Sequence, residues 1–137
     1  MQEFLPDLED DYKVLVYHDR YYVLRRRTKE GDFRASGSGL FSWPDPPPAG
    51  LLDFAERIHR SFDVPMSSLD IAHRDGQCHL IEFQFVLFGP LTLEQSHFHF
   101  VKDSGIWTRV DGTAVVEEEF VRSVVAYIEQ TAPPSQA

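Results

Sequence analysis

Two strand-like runs with only three residues between them constrain this chain from its start. Residues 12–17 (YKVLVY) and 21–27 (YYVLRRR) are dense in β-branched and aromatic side chains, which suit a pleated, half-buried surface. The short His18-Asp19-Arg20 stretch between them reads as a reversal, so the pair is an antiparallel hairpin. A second hairpin is expected over 68–74 and 78–88, turning near Asp75-Gly76, and a third over 97–102 and 106–110 around Ser104-Gly105. Residues 28–39 (TKEGDFRASGSG) are polar and glycine-rich and read as a loop with one short extended piece at Phe33-Arg34. Residues 43–50 (WPDPPPAG) exclude a regular element, because four prolines remove donors and fix φ.

Two helices complete the chain. Leu51, Leu52, Phe54, Ala55, Ile58 and Phe62 recur at helical spacing over about 50–62, with Asp53 and Glu56 toward solvent. Over about 114–130, Val116, Phe120, Val124 and Ile128 make one stripe, and Glu117, Glu118 and Glu119 gather near the N-terminus, where the helix dipole favours them. The expected fold class is α+β: an antiparallel sheet with two helices packed on one face. Residues 1–130 are expected to form one domain and 131–137 a flexible tail.

The second hairpin is the most informative segment. A two-residue Asp75-Gly76 turn would set Asp70 opposite Ile81 and Leu69 opposite Glu82, mixing polar with apolar at each step. A three-residue loop through Gln77 pairs Asp70 with Glu82, Leu69 with Phe83, Ile71 with Ile81 and Ala72 with Leu80. Register follows the apolar face, so the second pairing is preferred. It turns Ile81, Phe83, Phe85 and Leu87 to the core and gathers Asp70, Glu82 and Gln84 on the other face. Carboxylates directly opposite one another repel, unless a cation lies between them or one is protonated. Two acids and an amide are hard oxygen donors suited to Mg²⁺. The alternative is a solvated sheet face, against which the nearby Leu80, Val86 and Phe88 weigh.

A formal charge of −9 argues against a dedicated nucleic-acid surface. The cations are nonetheless concentrated: Arg20, Arg25, Arg26, Arg27, Lys29 and Arg34 are six of the 13 Lys and Arg.

In this order the motifs resemble the ATP-grasp superfamily, particularly its RimK-like branch of carboxylate–amine ligases, over roughly residues 1–90. Gln2-Glu3-Phe4-Leu5 is similar to the hinge strand that meets adenine, and Asp11-Tyr12-Lys13-Val14 to the following D-x-R-V step beside the ribose. Arg26 with Lys29-Glu30-Gly31-Asp32-Phe33-Arg34-Ala35-Ser36 resembles the segment that meets the triphosphate. Ser68-Leu69-Asp70-Ile71 and Leu80-Ile81-Glu82-Phe83-Gln84 resemble the pair that holds magnesium.

The resemblance implies that Asp70, Glu82 and Gln84 ligate Mg²⁺ (or Mn²⁺) and that Arg26 and Arg34 act on phosphate as the catalytic cations. It further implies that Gln2, Glu3, Phe4, Leu5, Asp11 and Ser36 help to hold ATP. Gln84 and Ser36 each stand where the family has Asn, and Phe85-Val86-Leu87-Phe88-Gly89-Pro90 replaces the family's S-x-P-G loop, which leaves the substrate unreadable. The implied activity is ATP-dependent ligation through an acylphosphate, with a carboxylate-bearing small molecule or peptide as partner. The family clamps ATP between two subdomains, and the first is expected to be supplied in cis or in trans; the 137 residues alone are expected to be inactive. The alternative is a non-catalytic nucleotide-binding or protein-interaction domain that keeps the fold.

Other motifs carry less. Arg34-Ala35-Ser36-Gly37-Ser38-Gly39 lacks the Gly-Lys-Ser/Thr of a Walker loop. His97 and His99 alternate toward one side, and His73 and His79 pair across the second hairpin, but no third zinc ligand accompanies either pair. Cys78 stands alone, so no disulfide framework exists. No stretch approaches a membrane span and Met1-Gln2-Glu3-Phe4 carries no signal pattern, so the expected location is cytoplasmic.

Overall fold

The computed structural model describes residues 10–27, 40–85 and 88–131. Among these residues seven strands form one antiparallel sheet: β1 Asp10–Tyr17, β2 Arg20–Arg27, β3 Leu40–Ser42, β4 Met66–Arg74, β5 Gln77–Gln84, β6 Phe98–Asp103 and β7 Ile106–Asp111. Their order is β5-β4-β1-β2-β6-β7; β3 pairs with the far end of β2, whose near end meets β6. The helices are α1 Leu51–Ser61, α2 Leu91–Glu94 and α3 Val116–Thr131. The three expected hairpins and both long helices are present, with β3 and the short α2 in addition. The proline-rich segment 43–50 contains no helix or strand.

The helices do not share one face. Val14, Val23 and Leu69 stand side by side and pack with Leu51, Leu52 and Ala55 of α1. Their strand neighbours Leu15 and Tyr22 point the other way, joining Tyr17, Met66 and Leu93 of α2, with Val116 and Val124 of α3 at the margin. The central strands are therefore apolar on both faces; one face takes α1 and the other takes α2 and α3. Two-sided burial of antiparallel strands hides the alternation that would otherwise distinguish core from solvent.

The β4–β5 register combines both expected solutions. Asp75 and Gly76 carry φ of 53° and 76°, a two-residue turn with both central residues left-handed, and Arg74 pairs with Gln77. Ile71 consequently faces Leu80, and Ala72 faces His79, not Ile81 and Leu80 as expected. A bulge then shifts the register, so that Asp70 faces Glu82 and Leu69 faces Phe83 as expected. Turn chemistry decides the near end and side-chain matching the far end; the extra residue absorbs the difference. Phe83 does face the α1 side, but at its border: it is exposed and stacks on Phe62 at 4.9 Å between ring centroids.

α3 is rotated relative to its expected stripe. Glu119 and Ser123 are its buried residues, whereas Phe120 and Ile128 are exposed. Glu119 accepts from Arg20 Nη1 at 2.6 Å and from the Tyr22 hydroxyl at 3.1 Å, which ties the helix to the first hairpin.

Inside the α1 face, His59 Nδ1 lies 2.7 Å from Ser67 Oγ, with both side chains buried. Burial, then the neighbouring charges of His18 and Arg60, push the His59 pKa down to about 4. The unfolded chain thus takes up this proton near pH 6.5, before the native state does. Stability from this residue is intact above that pH and is lost as pH falls toward 4. His59→Asn, which keeps an acceptor for Ser67, is expected to lose about 2 kcal/mol less than the parent between pH 7 and pH 4.5 in urea unfolding. Equal losses would show that His59 is not held neutral.

Candidate functional site

Strand alternation brings charged residues together on the α2–α3 face, at the end of the sheet away from Tyr17. Asp11 and Arg26 are direct partners across β1–β2, and Lys13 and Asp70 are direct partners across β1–β4. Arg26 grips Asp11 with both arms of its fork, Nε to Oδ1 at 2.9 Å and Nη2 to Oδ2 at 2.5 Å. The same Nη2 lies 3.4 Å from Asp70 Oδ2, and Lys13 Nζ lies 3.0 Å from Asp70 Oδ1. Glu82 completes the group as the exposed cross-strand neighbour of Asp70, with Gln84 opposite Ser68.

The electrostatics are those of a tightly held, partly desolvated cluster. Burial pushes the Asp11 carboxyl above its usual range by more than the hydrogen bond and charge of Arg26 pull it down. Burial works against the Arg26 guanidinium too, but the bonds and charges of Asp11 and Asp70 outweigh it and hold the proton more firmly. Asp70 Oδ1 is shut from solvent, and although Lys13 is close enough to form an ion pair, the oxygen accepts no well-aligned hydrogen bond. Lys13 Nζ also reaches toward Ser68 Oγ at 3.5 Å.

A small polar cleft opens here, lined by Lys13, Ser68, Asp70, Glu82, Phe83 and Gln84, with a volume of about 30 Å³. That admits a water molecule or a single cation; ligand pockets for nucleotide-sized molecules start near ~300 Å³. Any nucleotide reaching this cleft must therefore find most of its contacts elsewhere.

Of the residues singled out in the sequence, Asp11, Arg26, Asp70, Glu82 and Gln84 lie on this one face. Gln2, Glu3, Phe4, Leu5, Arg34 and Ser36 lie outside the described residues. Asp11 is engaged by Arg26 and Asp70 by two cations. The counter-charge expected between Asp70 and Glu82 is thus supplied, on the Asp70 side, by Lys13 and Arg26. Lys13 is the member that sequence reasoning did not assign. Its place two residues after Asp11 puts it on the same face, but its pairing with Asp70 depends on β1 lying beside β4, across more than fifty residues of chain.

The remaining motifs separate in space. His73 faces Cys78 and His79 faces Ala72, so the two histidines do not pair across the hairpin and occupy opposite faces. His99 is buried against Tyr22 at 5.3 Å, whereas His97 is exposed. Burial pushes the Cys78 thiol up, away from a nucleophilic thiolate. Among the described residues, no group of three or more His, Cys, Asp and Glu is placed to hold a metal ion. No helix among them is long and apolar enough to cross a membrane. No protein-family model matches the chain, and no curated protein matches it.

Proposed function

We propose that this chain is the Mg–nucleotide-binding half of an ATP-grasp ligase of the carboxylate–amine type, with Asp70, Glu82 and Gln84 as its metal-facing oxygens. The observation that carries the reading is the register across β4 and β5, which sets Asp70 against Glu82 and Ser68 against Gln84 around one small cleft. Its volume suits one cation, and its donor set of two carboxylates and an amide suits a hard one. Asp70 Oδ1 meets Lys13 Nζ at 3.0 Å without an aligned hydrogen bond, so a metal ion would take the place of that ammonium.

A bound Mg²⁺ would supply charge neutralisation for the phosphates. The chain's own residues would do the rest. Arg26 fixes the rotamers of Asp11 and Asp70, so that the carboxylate facing the cleft is already oriented. Lys13, the flexible cation of the cleft, can exchange Asp70 for a phosphate oxygen. In this reading Arg34 and Ser36 meet phosphate, and Gln2 to Leu5 frame the adenine. The second subdomain, in cis or in trans, closes over the nucleotide, and a substrate carboxylate is activated as its acylphosphate.

One observation favours a second reading. Asp70 already has two cationic neighbours, so the cluster is complete enough without metal to serve a non-catalytic domain that keeps the fold.

Calorimetric titration with Mg–ADP separates the two. The ligase reading expects Asp70→Asn and Glu82→Gln each to weaken Mg-dependent nucleotide binding by at least about tenfold, an interaction difference of ~1.4 kcal/mol, with the fold retained. Unchanged binding in both variants would remove the metal role from this hairpin. A folded parent that binds no Mg–ADP, alone or with a complementary ATP-grasp subdomain, would leave the non-catalytic reading.

A further inference from the structure

α3 presents its apolar side outward. Turned by the buried anchors Glu119 and Ser123, it leaves Phe120 47%, Val121 58%, Val125 46% and Ile128 56% exposed. With half-buried Val124 they repeat at i, i+1, i+4, i+5 and i+8, a seam of the width that an opposing helix fills. A contiguous apolar seam on a charged chain marks a docking surface.

Charge identifies what would sit on it. Glu117 is exposed at the N-terminal end of the seam, in line with Val121, and Glu118 and Glu129 are exposed along one flank. The helix carries one cation, Arg122, already bound to Asp19 at 2.8 Å, the Tyr17 carbonyl at 2.7 Å and Glu119 at 3.3 Å. Arg109 on β7, the strand that leads into α3, is likewise held by Asp45 and Asp111. Among the described residues of α3, the border is therefore acidic, and its one cation is already engaged. A second copy is disfavoured, because antiparallel pairing of two α3 helices about their midpoint brings Glu118 beside Glu129 of the other on the shared flank, and parallel pairing sets Glu117, in line with the seam, against itself.

We propose that the outer face of α3 docks a basic amphipathic helix of another protein, its apolar side on the Val121–Val125 seam and its Lys or Arg residues against Glu117, Glu118 and Glu129. This surface is separate from the cleft between β4 and β5 and does not depend on nucleotide binding.

The probe is a synthetic helical peptide with leucine at a and d positions and lysines on the flanks, followed by fluorescence anisotropy. Two controls accompany it: the same composition scrambled to destroy the seam, and the same seam flanked by glutamates. Binding should be at least about tenfold tighter for the basic seam peptide than for either control. It should fall by a similar factor in Val121→Ser/Val125→Ser, and Glu117→Lys/Glu118→Lys/Glu129→Lys should shift preference to the acidic peptide. Hydrogen exchange on the unaltered chain should show peptide-induced protection within 116–131. Equal binding of the scrambled peptide, protection elsewhere, or a dimer in sedimentation that Val121→Ser/Val125→Ser dissociates would each overturn the proposal, the last in favour of a second copy. Failure of all three peptides to bind would overturn it as well.

Discussion

Arg26→Ala is expected to lower folding stability by about 3–5 kcal/mol, the range for removing one partner of a buried ion pair. Both Arg26 and Asp11 are at least nine-tenths buried, so water cannot replace the missing guanidinium. Asp11 would lose two hydrogen bonds and be left facing Asp70, whose charge already opposes its ionisation. Lys13 would remain beside Asp70 only. Burial opposes the ionised Asp11 carboxylate even with Arg26 present. The pair is therefore costly to break without being a large net source of stability. Two further variants test this account. Arg26→Lys keeps the charge but loses the two-armed grip, and should recover only part of the loss. Asp11→Leu/Arg26→Met, which removes both charges, should come within about 2 kcal/mol of the parent. Urea unfolding, with slopes compared to confirm an unchanged transition, measures all three. A loss below about 1 kcal/mol for Arg26→Ala would mean that the pair is solvated.

Glu119→Ala is the second large effect, expected at about 2–4 kcal/mol. Glu119 is the buried carboxylate under α3, receiving Arg20, Tyr22 and Arg122. The guanidiniums lie near the surface and can turn to water, which places the cost below that of Arg26. The Tyr22 side chain cannot, since it is almost wholly buried, and its hydroxyl would lose its acceptor. The contact spans nearly a hundred residues of sequence, so its loss should also free α3 from the sheet. Hydrogen exchange should show faster exchange along 116–131 than across β1 and β4. Glu119→Gln, which retains an oxygen for Tyr22, should recover part of the stability. An α3 that stays protected in Glu119→Ala would show that Val116, Val124 and the bonds of Arg122 to Asp19 and the Tyr17 carbonyl hold it without Glu119.

The same two residues show what could and could not be read in advance. Arg26 lies in a run of three arginines, and nothing local distinguishes it from Arg25 or Arg27; its burial follows from strand parity and from Asp11 lying opposite. Glu119 reads as one of three acids that favour a helix N-terminus, and Phe120 beside it reads as core. The structure reverses them, because Arg20 and Tyr22 supply a polar socket and the apolar seam is left outside.

The Asp70–Glu82 pair lies between these extremes. Its register was readable because Leu69 and Phe83 match only when the acids face each other. The bulge beside it was not, since the Asp75-Gly76 turn and the apolar matching make conflicting local demands that only the assembled sheet reconciles.

What the amino-acid sequence determined by itself was therefore everything carried by short-range period and turn chemistry: three hairpins, two long helices, the irregular proline segment, and two carboxylates facing one another across β4 and β5. The tertiary structure alone decided that the sheet is covered on both faces, that α3 turns its apolar side outward, and that Lys13 and Arg26 meet Asp70. Periodicity specifies how one segment alternates, but not which distant segment lies beside it. Lys13 and Arg26 meet Asp70, far from them in the chain, only after β1 has taken its place between β2 and β4.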